Sequence, residues 1–257
     1  RAVDQMDGIK KSFIGSGVRY DLLLHKSKDE NTNRAAREYT RELIARHVSG
    51  RLKVAPEHTS DKVLNLMRKP PFSQFGDFKR IFDRINSEEG LNQQIIPYFI
   101  SSHPGCAEED MAELAVITKK LDFHLEQVQD FTPTPMTIST ETWYTGYDPY
   151  TLEPVTSAKT PREKLAQRQF FFWYKPEERA SIEKELRRIG RADLIEQLYE
   201  GMPKPYVKDY RKQERQDGQW RQQPTKRKSF NPNFNNDNKR PKDKGRKNPA
   251  NSRGRKP

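Results

Sequence analysis

Residues 93–111 read QQIIPYFISSHPGCAEEDM, and this stretch sets the class of fold. Its first eight residues form a short apolar run with isoleucines and aromatic residues, which predicts a strand. A turn with Pro104 and Gly105 follows, and Glu108, Glu109 and Asp110 then open a helix at the end where the helix dipole favours acidic side chains. This strand, turn and helix order is typical of a parallel α/β unit.

The same alternation extends over the first 130 residues. We predict strands at residues 51–55, 93–100 and 123–129, and a further strand with its exit loop at residues 12–24. Between them, apolar residues recur at helical spacing at residues 36–48, after Ser60 as the helix cap, at residues 75–85 and after Glu108. We therefore expect an α/β fold with four parallel strands, which amounts to about half of an α/β barrel.

The remainder of the chain divides into two further segments. Residues 131–160 are rich in Pro, Thr and Tyr without helical period, which predicts an ordered loop. Thr160, Pro161 and Glu163 then form a capping box, so a small helical extension follows. From residue 204 onward, Asn, Lys, Arg, Gln and Pro dominate, which predicts disorder. The predicted domains are residues 1–130, the extension 131–203 and a basic tail 204–257.

The charge of the chain is concentrated in that tail. The 257 residues include 48 Lys or Arg and 36 Asp or Glu, for a net charge of +12. Residues 207–257 alone contain 17 Lys or Arg and five Asp or Glu, so the rest of the chain is neutral overall. This balance argues against a folded basic nucleic-acid domain. The tail itself allows weak, non-specific RNA contact, and the simpler interpretation is that it solubilises the chain.

Several classes of protein are excluded by what the sequence lacks. No run approaches the roughly 18 apolar residues of a membrane span, and residues 2–10 do not resemble a signal peptide. The single cysteine, Cys106, rules out an internal disulfide framework and a metal cluster held by three or four cysteines of this chain. We expect a reducing, cytoplasmic environment. The start at Arg1 suggests a piece of a longer protein.

Polar residues collect where the predicted strands end, which is where an α/β barrel places its site. They are Ser16 and Arg19 after the first strand, Glu57 and His58 after the second, Ser101, Ser102 and His103 after the third, and Gln129 and Asp130 at the fourth. Loops are commonly polar, so each residue alone carries little weight, whereas the set predicts one polar rim.

Cys106 and a group of aromatic residues admit more than one interpretation. Cys106 with His103 has the spacing to begin a zinc site, and its position near a helix start would suit a nucleophile, but a small packed thiol is favoured. Trp143, Tyr144, Tyr147 and Tyr150 would suit stacking on a base, although aromatic packing over a barrel mouth is the commoner use.

Four longer strings resemble the YgiQ-type family of radical S-adenosylmethionine (SAM) enzymes. They are KVAPEHTSDKVLNLMRKP (53–70), QQIIPYFISSHPGCAEEDM (93–111), FHLEQVQDFTPTPMTISTETWYTG (123–146) and QRQFFFWYKPE (167–177). The similarity covers nearly all of residues 1–206. The second string departs from the pattern of radical SAM enzymes in general, with Cys106 where that pattern has Glu.

The resemblance implies a partial six-stranded (β/α) barrel, of which this chain holds the last four strands. It also implies a 4Fe-4S cluster beside SAM, and reductive cleavage of SAM to methionine and a 5'-deoxyadenosyl radical acting on an unknown substrate. Such a cluster takes three thiolates, so its CxxxCxxC loop is expected upstream of Arg1, and the chain alone is expected to hold neither cluster nor SAM stably. The residues expected to face SAM are Ser16, Arg19, Glu57, His58, His103 and Gln129.

Two other functions remain open at this point. One is an RNA-binding or polyanion-binding module that acts through the basic tail. The other is a metal-free lyase on an α/β barrel, for which Lys53 is the candidate lysine on a strand.

Overall fold

A three-stranded parallel sheet lies at the centre of the computed structural model, which describes residues 2–202. The strands are β1 (Arg51–Glu57), β2 (Gln94–Ser101) and β3 (Gln127–Asp130), paired in the order of the sequence. The helices are α1 (Tyr20–Leu24), α2 (Glu30–His47), α3 (Asp61–Leu66), α4 (Phe72–Glu88), α5 (Glu108–Lys120), α6 (Ile138–Thr145), α7 (Pro161–Arg168), α8 (Arg179–Arg188) and α9 (Asp193–Tyr199), with short 3-10 helices at Val3–Gln5 and Gln169–Phe172. Helices connect the strands, so the predicted α/β class is confirmed.

The first predicted strand is wrong. Val18 alone makes a parallel bridge, to Val54, and its N–H donates to the Lys53 carbonyl at 3.1 Å. Gly15 and Gly17 interrupt the segment before it, and glycine weakens a strand because it supplies no side chain to pack. The chain turns directly into α1 instead, so the sheet has three strands rather than four.

The segment at residues 131–160 is ordered as expected but contains a helix, α6, that its composition did not predict. The Thr137 hydroxyl accepts the Thr140 N–H at its start, and Gly146 ends it in the left-handed conformation at φ 80°. The eight residues of α6 include Thr140, Thr142 and Thr145, and the helix has no apolar stripe along one face. The spacing of apolar residues therefore gives no sign of the helix.

Helices pack on one face of the sheet. Side chains alternate along β1 and β2, with Leu52, Val54, Ile95 and Phe99 buried among α-helical residues. The intervening β2 residues Ile96, Tyr98 and Ile100 are half-buried and belong to neither hydrophobic cluster. We call this second surface of the sheet, formed by Lys53, Ala55, Ile96, Tyr98, Ile100, Gln127 and Gln129, the open face.

Two hydrophobic clusters hold the helices in place. One joins the phenylalanines of α4 to α2 and β1, and Tyr20 of α1 meets Phe75 edge to face. The other centres on Met111 and Leu114 of α5 and takes in Phe170, Phe171 and the last two helices. The helical extension therefore packs on α5 rather than standing apart from the α/β part.

The described residues all lie within one compact unit of the chain. The predicted disordered tail at residues 204–257 lies outside the described residues, and the predicted boundaries at residues 130 and 203 stay predictions.

Candidate carboxyl-end site

The backbone is strained where the two longer strands, β1 and β2, come to an end. Glu57 at the end of β1 has φ 67°, and Ser102, directly after β2, has φ 62°. The His58 N–H donates to the Pro56 carbonyl at 2.8 Å, so Glu57 is the centre of a tight three-residue turn of the rare kind with positive φ. Non-glycine residues adopt this conformation at a cost, and they cluster at functional sites. The turns direct His58 and His103 into the interior.

His58 is completely buried and fully partnered. The Ser60 N–H donates to its Nδ1 at 3.0 Å, so the ring proton sits on Nε2, which lies 3.5 Å from the Cys106 Sγ. Burial lowers the pKa of His58 to about 4, and burial likewise raises the pKa of the Cys106 thiol. A buried thiol with a raised pKa is a poor nucleophile, so the geometry supports the packed-thiol interpretation of Cys106.

His103 joins the turn after β2 to α6. Its Nδ1 donates to the Pro104 carbonyl at 2.9 Å, and its Nε2 accepts the Ser139 hydroxyl at 2.8 Å. The ring also meets Phe131 edge to face, with ring centroids 5.1 Å apart. Burial lowers the pKa of His103, which keeps the ring neutral and suited to this pair of hydrogen bonds.

A glutamine that the sequence reasoning missed holds the extension to the turn after β2. The buried Gln167 of α7 accepts the Ser102 N–H at 2.7 Å and donates to the Cys106 carbonyl at 2.9 Å. Next to it, Arg168 pairs with Asp130 at the end of β3 at 3.1 Å. Both residues begin the string QRQFFFWYKPE, so the only sequence clue to them was their place in a stretch that resembles the family.

The other four predicted site residues lie apart from this buried network. Arg19 is exposed and pairs with Asp21 at 2.6 Å, and Glu57 pairs with Lys69 at 3.2 Å. Gln129 is an exposed residue of the open face, near the carboxyl end of β3.

Ser16 is exposed as well, and it precedes the Val18 bridge to Val54 by two residues. It therefore lies toward the amino end of β1 rather than at the rim. The structure brings together two of the six predicted residues, His58 and His103, and a SAM-facing role for any of the six stays a prediction.

Comparison with known proteins now assigns the family. A family model described as a domain of unknown function, DUF3362, matches residues 126–256. A UPF0313 protein of Bacteroides thetaiotaomicron is 79% identical over 199 residues, which are 77% of this chain and 32% of that protein. The chain belongs to the UPF0313, or YgiQ, family. The resemblance carried by the four strings is therefore confirmed at the level of the family.

Other UPF0313 relatives show the same partial coverage. The Porphyromonas gingivalis protein is 67% identical over 200 residues, covering 78% of this chain and 32% of its own length. The Clostridium perfringens protein is 44% identical over 195 residues, covering 76% and 28%. This UPF0313 chain thus spans about a third of the length of the curated relatives it matches.

The described part of this UPF0313 chain supplies no ligand set for a metal. Among residues 2–202, no group of three or more His, Cys, Asp or Glu is placed to hold a metal ion. The zinc hypothesis for His103 and Cys106 therefore has no support, since both side chains are occupied by His58, Pro104 and Ser139. In the same residues, no helix combines the length and apolar character needed to cross a bilayer.

Proposed function

We propose that this chain forms the C-terminal part of the catalytic barrel of a radical SAM enzyme. The open face of the sheet carries the proposal. Parallel sheets are normally covered on both faces, because crossover helices or opposing strands bury them. Here Ile96, Tyr98 and Ile100 belong to neither core cluster, although they sit on the central strand. In a barrel, the other strands face such residues across the interior, which accounts for this arrangement. The curated relatives are longer than this chain, so they have enough residues to supply those strands.

The residues of this chain do not fit the 4Fe-4S cluster that the resemblance implies. A cluster that leaves one iron free for SAM takes three thiolates, and this chain has one cysteine. That cysteine, Cys106, is buried against His58, and its pKa is raised, so it is not available as a thiolate ligand. The cluster ligands of the complete protein would have to come from outside these 257 residues.

What this chain would contribute is one wall of the pocket for SAM and substrate. SAM offers a carboxylate, an ammonium group, a ribose diol and an adenine, all of which pair with polar side chains. Gln129 is the best placed of the six predicted residues, because it is exposed on the open face near the carboxyl end of β3. When bound, SAM and the cluster together would supply the radical that starts the reaction.

The test uses the full-length protein that contains this chain, reconstituted anaerobically with iron and sulfide. We expect dithionite and SAM to give 5'-deoxyadenosine, measured by chromatography. Gln129→Ala should weaken SAM binding about tenfold in calorimetry without changing iron content, because one hydrogen-bonding side chain is lost from the pocket. SAM binding by Arg19→Ala and Glu57→Ala, measured in the same way, tests whether these two rim residues contact SAM.

Gln94→Ala is the matched control, because Gln94 is also exposed and precedes Ile96 by two residues, at the amino end of β2. It should bind SAM as the unaltered protein does. A reconstituted protein with a full cluster that forms no 5'-deoxyadenosine would overturn the proposal.

A second candidate function is binding of RNA or another polyanion through residues 207–257. The concentration of the whole net charge of +12 in this segment favours it. Cutting the chain after Tyr206 should lower affinity for RNA at low salt at least tenfold and flatten the salt dependence, since counterion release scales with the phosphates neutralised. A truncated chain that binds RNA as tightly as the intact chain would contradict this assignment.

A further inference from the structure

The turn after β2, residues 102–106, which we call the rim turn, has a backbone that costs free energy to hold. Ser102 has φ 62° and Gly105 has φ 80°. Glycine adopts this left-handed region readily, whereas serine does so at a cost, and such a residue keeps the conformation only where its surroundings hold it. The contacts that hold Ser102 therefore decide the shape of the rim turn.

The extension supplies contacts at both ends of the rim turn. The Ser102 N–H donates to the Gln167 Oε1 at 2.7 Å, and the Gln167 Nε2 donates to the Cys106 carbonyl at 2.9 Å. Gln167 is buried, and the low dielectric constant of its surroundings strengthens both bonds. Between these ends, the Gly105 N–H donates to the Thr156 carbonyl at 2.8 Å. One side chain of α7 thus joins the first and last residues of the turn.

The next residue of α7, Arg168, holds the end of β3. Its guanidinium donates to the Asp130 Oδ2 at 3.1 Å, and the Asp130 Oδ1 accepts the Ser101 hydroxyl at 2.6 Å. Ser101 and Asp130 are the last residues of β2 and β3 and are paired across the sheet. Asp130 therefore ties the two strand ends together. It also follows directly after Gln129, the residue of the open face that we place nearest to SAM.

We propose that Gln167 and Arg168 are positioning residues, and that through them the extension acts as a clamp on the carboxyl ends of β2 and β3. A barrel enzyme builds its site from these strand ends and the turns that follow them. The inference rests on the proposed function, because it takes the rim turn and the end of β3 as part of the pocket wall. A wall held in place before binding loses little conformational entropy when its ligand arrives.

Cys106 provides a measurement of the clamp that needs neither cluster nor SAM. It is the single cysteine of the 257-residue chain, lies in the rim turn and is only 3% exposed, so the turn must open before a thiol reagent can reach it. Gln167→Met keeps the length of the side chain and removes both hydrogen bonds. We expect dithiobis(nitrobenzoate) to modify Cys106 at least tenfold faster in this variant, because two buried hydrogen bonds no longer oppose opening.

The dependence of this rate on urea separates a clamp from a general loss of stability. Opening of one turn exposes little surface, so the rate in Gln167→Met should change little at low urea concentrations. A rate that rises steeply with urea would mean that the whole chain unfolds before Cys106 reacts. That result, or a rate equal to that of the unaltered chain, would overturn the proposal.

The second measurement is SAM affinity by calorimetry, in the full-length protein with its reconstituted cluster. Arg168→Met should weaken SAM binding about threefold without changing iron content, because the ion pair with Asp130 is partly exposed. Arg168→Lys should restore most of the affinity, since a lysine can keep the single contact to the carboxylate. Arg162→Met is the matched control, at an exposed position in the first turn of α7, and should bind SAM as the unaltered protein does.

The two measurements separate this proposal from the proposed function. A full-length protein with a complete cluster that does not bind SAM would overturn the proposed function, whereas the thiol measurement would still test the clamp. If the unaltered protein binds SAM, equal affinity in Arg168→Met would overturn the positioning role. An equal loss in Arg162→Met, or no recovery in Arg168→Lys, would overturn it as well.

Discussion

At residue 58, a histidine ring lies fully buried between Ser60 and Cys106, and this burial makes stability depend on pH. Its pKa is about 4 in the folded chain, against about 6.5 in an unfolded one. Above pH 6.5 both states are neutral. As the pH falls from 6.5 to 4, His58 binds a proton in the unfolded state but stays largely neutral in the folded state. The free energy of unfolding should therefore fall by roughly 3 kcal/mol.

Urea unfolding of the chain across this pH range measures the effect. His58→Gln should show a shallower fall, and the remainder is owed to other groups whose pKa is lowered in the folded chain, among them His103 and Asp110. His25→Gln changes an exposed histidine and should keep the full fall. The same slope in both variants would show that His58 is not the group responsible.

Gln167 is a second residue whose effect depends on its burial. Gln167→Ala would leave the Ser102 N–H and the Cys106 carbonyl buried without partners, each costing about 1–3 kcal/mol. We expect the free energy of unfolding to fall by roughly 3 kcal/mol, measured by denaturant titration. Gln197→Ala, at an exposed position of α9, should change it by less than about 0.5 kcal/mol. Equal losses in the two variants would contradict the proposed role of Gln167.

At the scale of elements, Gly105 sets how closely the turn after β2 approaches α3 and the extension. A Cβ there would lie 2.2 Å from the Leu66 Cδ1, on a backbone with φ 80°. Gly190, after α8, has a similar φ of 77° but open space around it. Both alanine variants should lose about 1 kcal/mol to backbone strain, and Gly105→Ala should lose roughly 1–2 kcal/mol more because Leu66 must move.

Thermal unfolding of the two glycine variants checks this difference. Leu66→Ala added to Gly105→Ala should cost less than the two changes summed, because it empties the space into which the new methyl projects. Equal stability of Gly105→Ala and Gly190→Ala would mean that the turn and α3 are not closely packed in solution.

At the scale of the whole molecule, the 257-residue chain is expected to be inert toward SAM by itself. After anaerobic treatment with iron and sulfide, it should show less than stoichiometric iron and no charge-transfer absorbance, since one buried cysteine cannot replace three thiolates. The full-length protein treated alongside it is the positive control. A stoichiometric 4Fe-4S cluster on the isolated monomer would contradict this expectation.

Features that depend on local pattern could be predicted from the amino-acid sequence. Apolar spacing located α2, α4 and α5, and short apolar runs located β1 and β2, because a helix or strand repeats its buried side every few residues. Counting residues placed the net charge in residues 207–257 and limited any thiolate chemistry to Cys106. The four strings were long enough to identify the family on their own.

Which of the candidate residues meet depended on the tertiary structure. His58 and Cys106 are 48 residues apart, His103 and Ser139 are 36, and Ser102 and Gln167 are 65. No periodic pattern spans such separations, so the sequence could mark these residues as polar, or miss them, but could not pair them. The exposure of Tyr144, Tyr147 and Tyr150 could not be predicted from local pattern either. A ring is buried or exposed according to which distant segments pack against it.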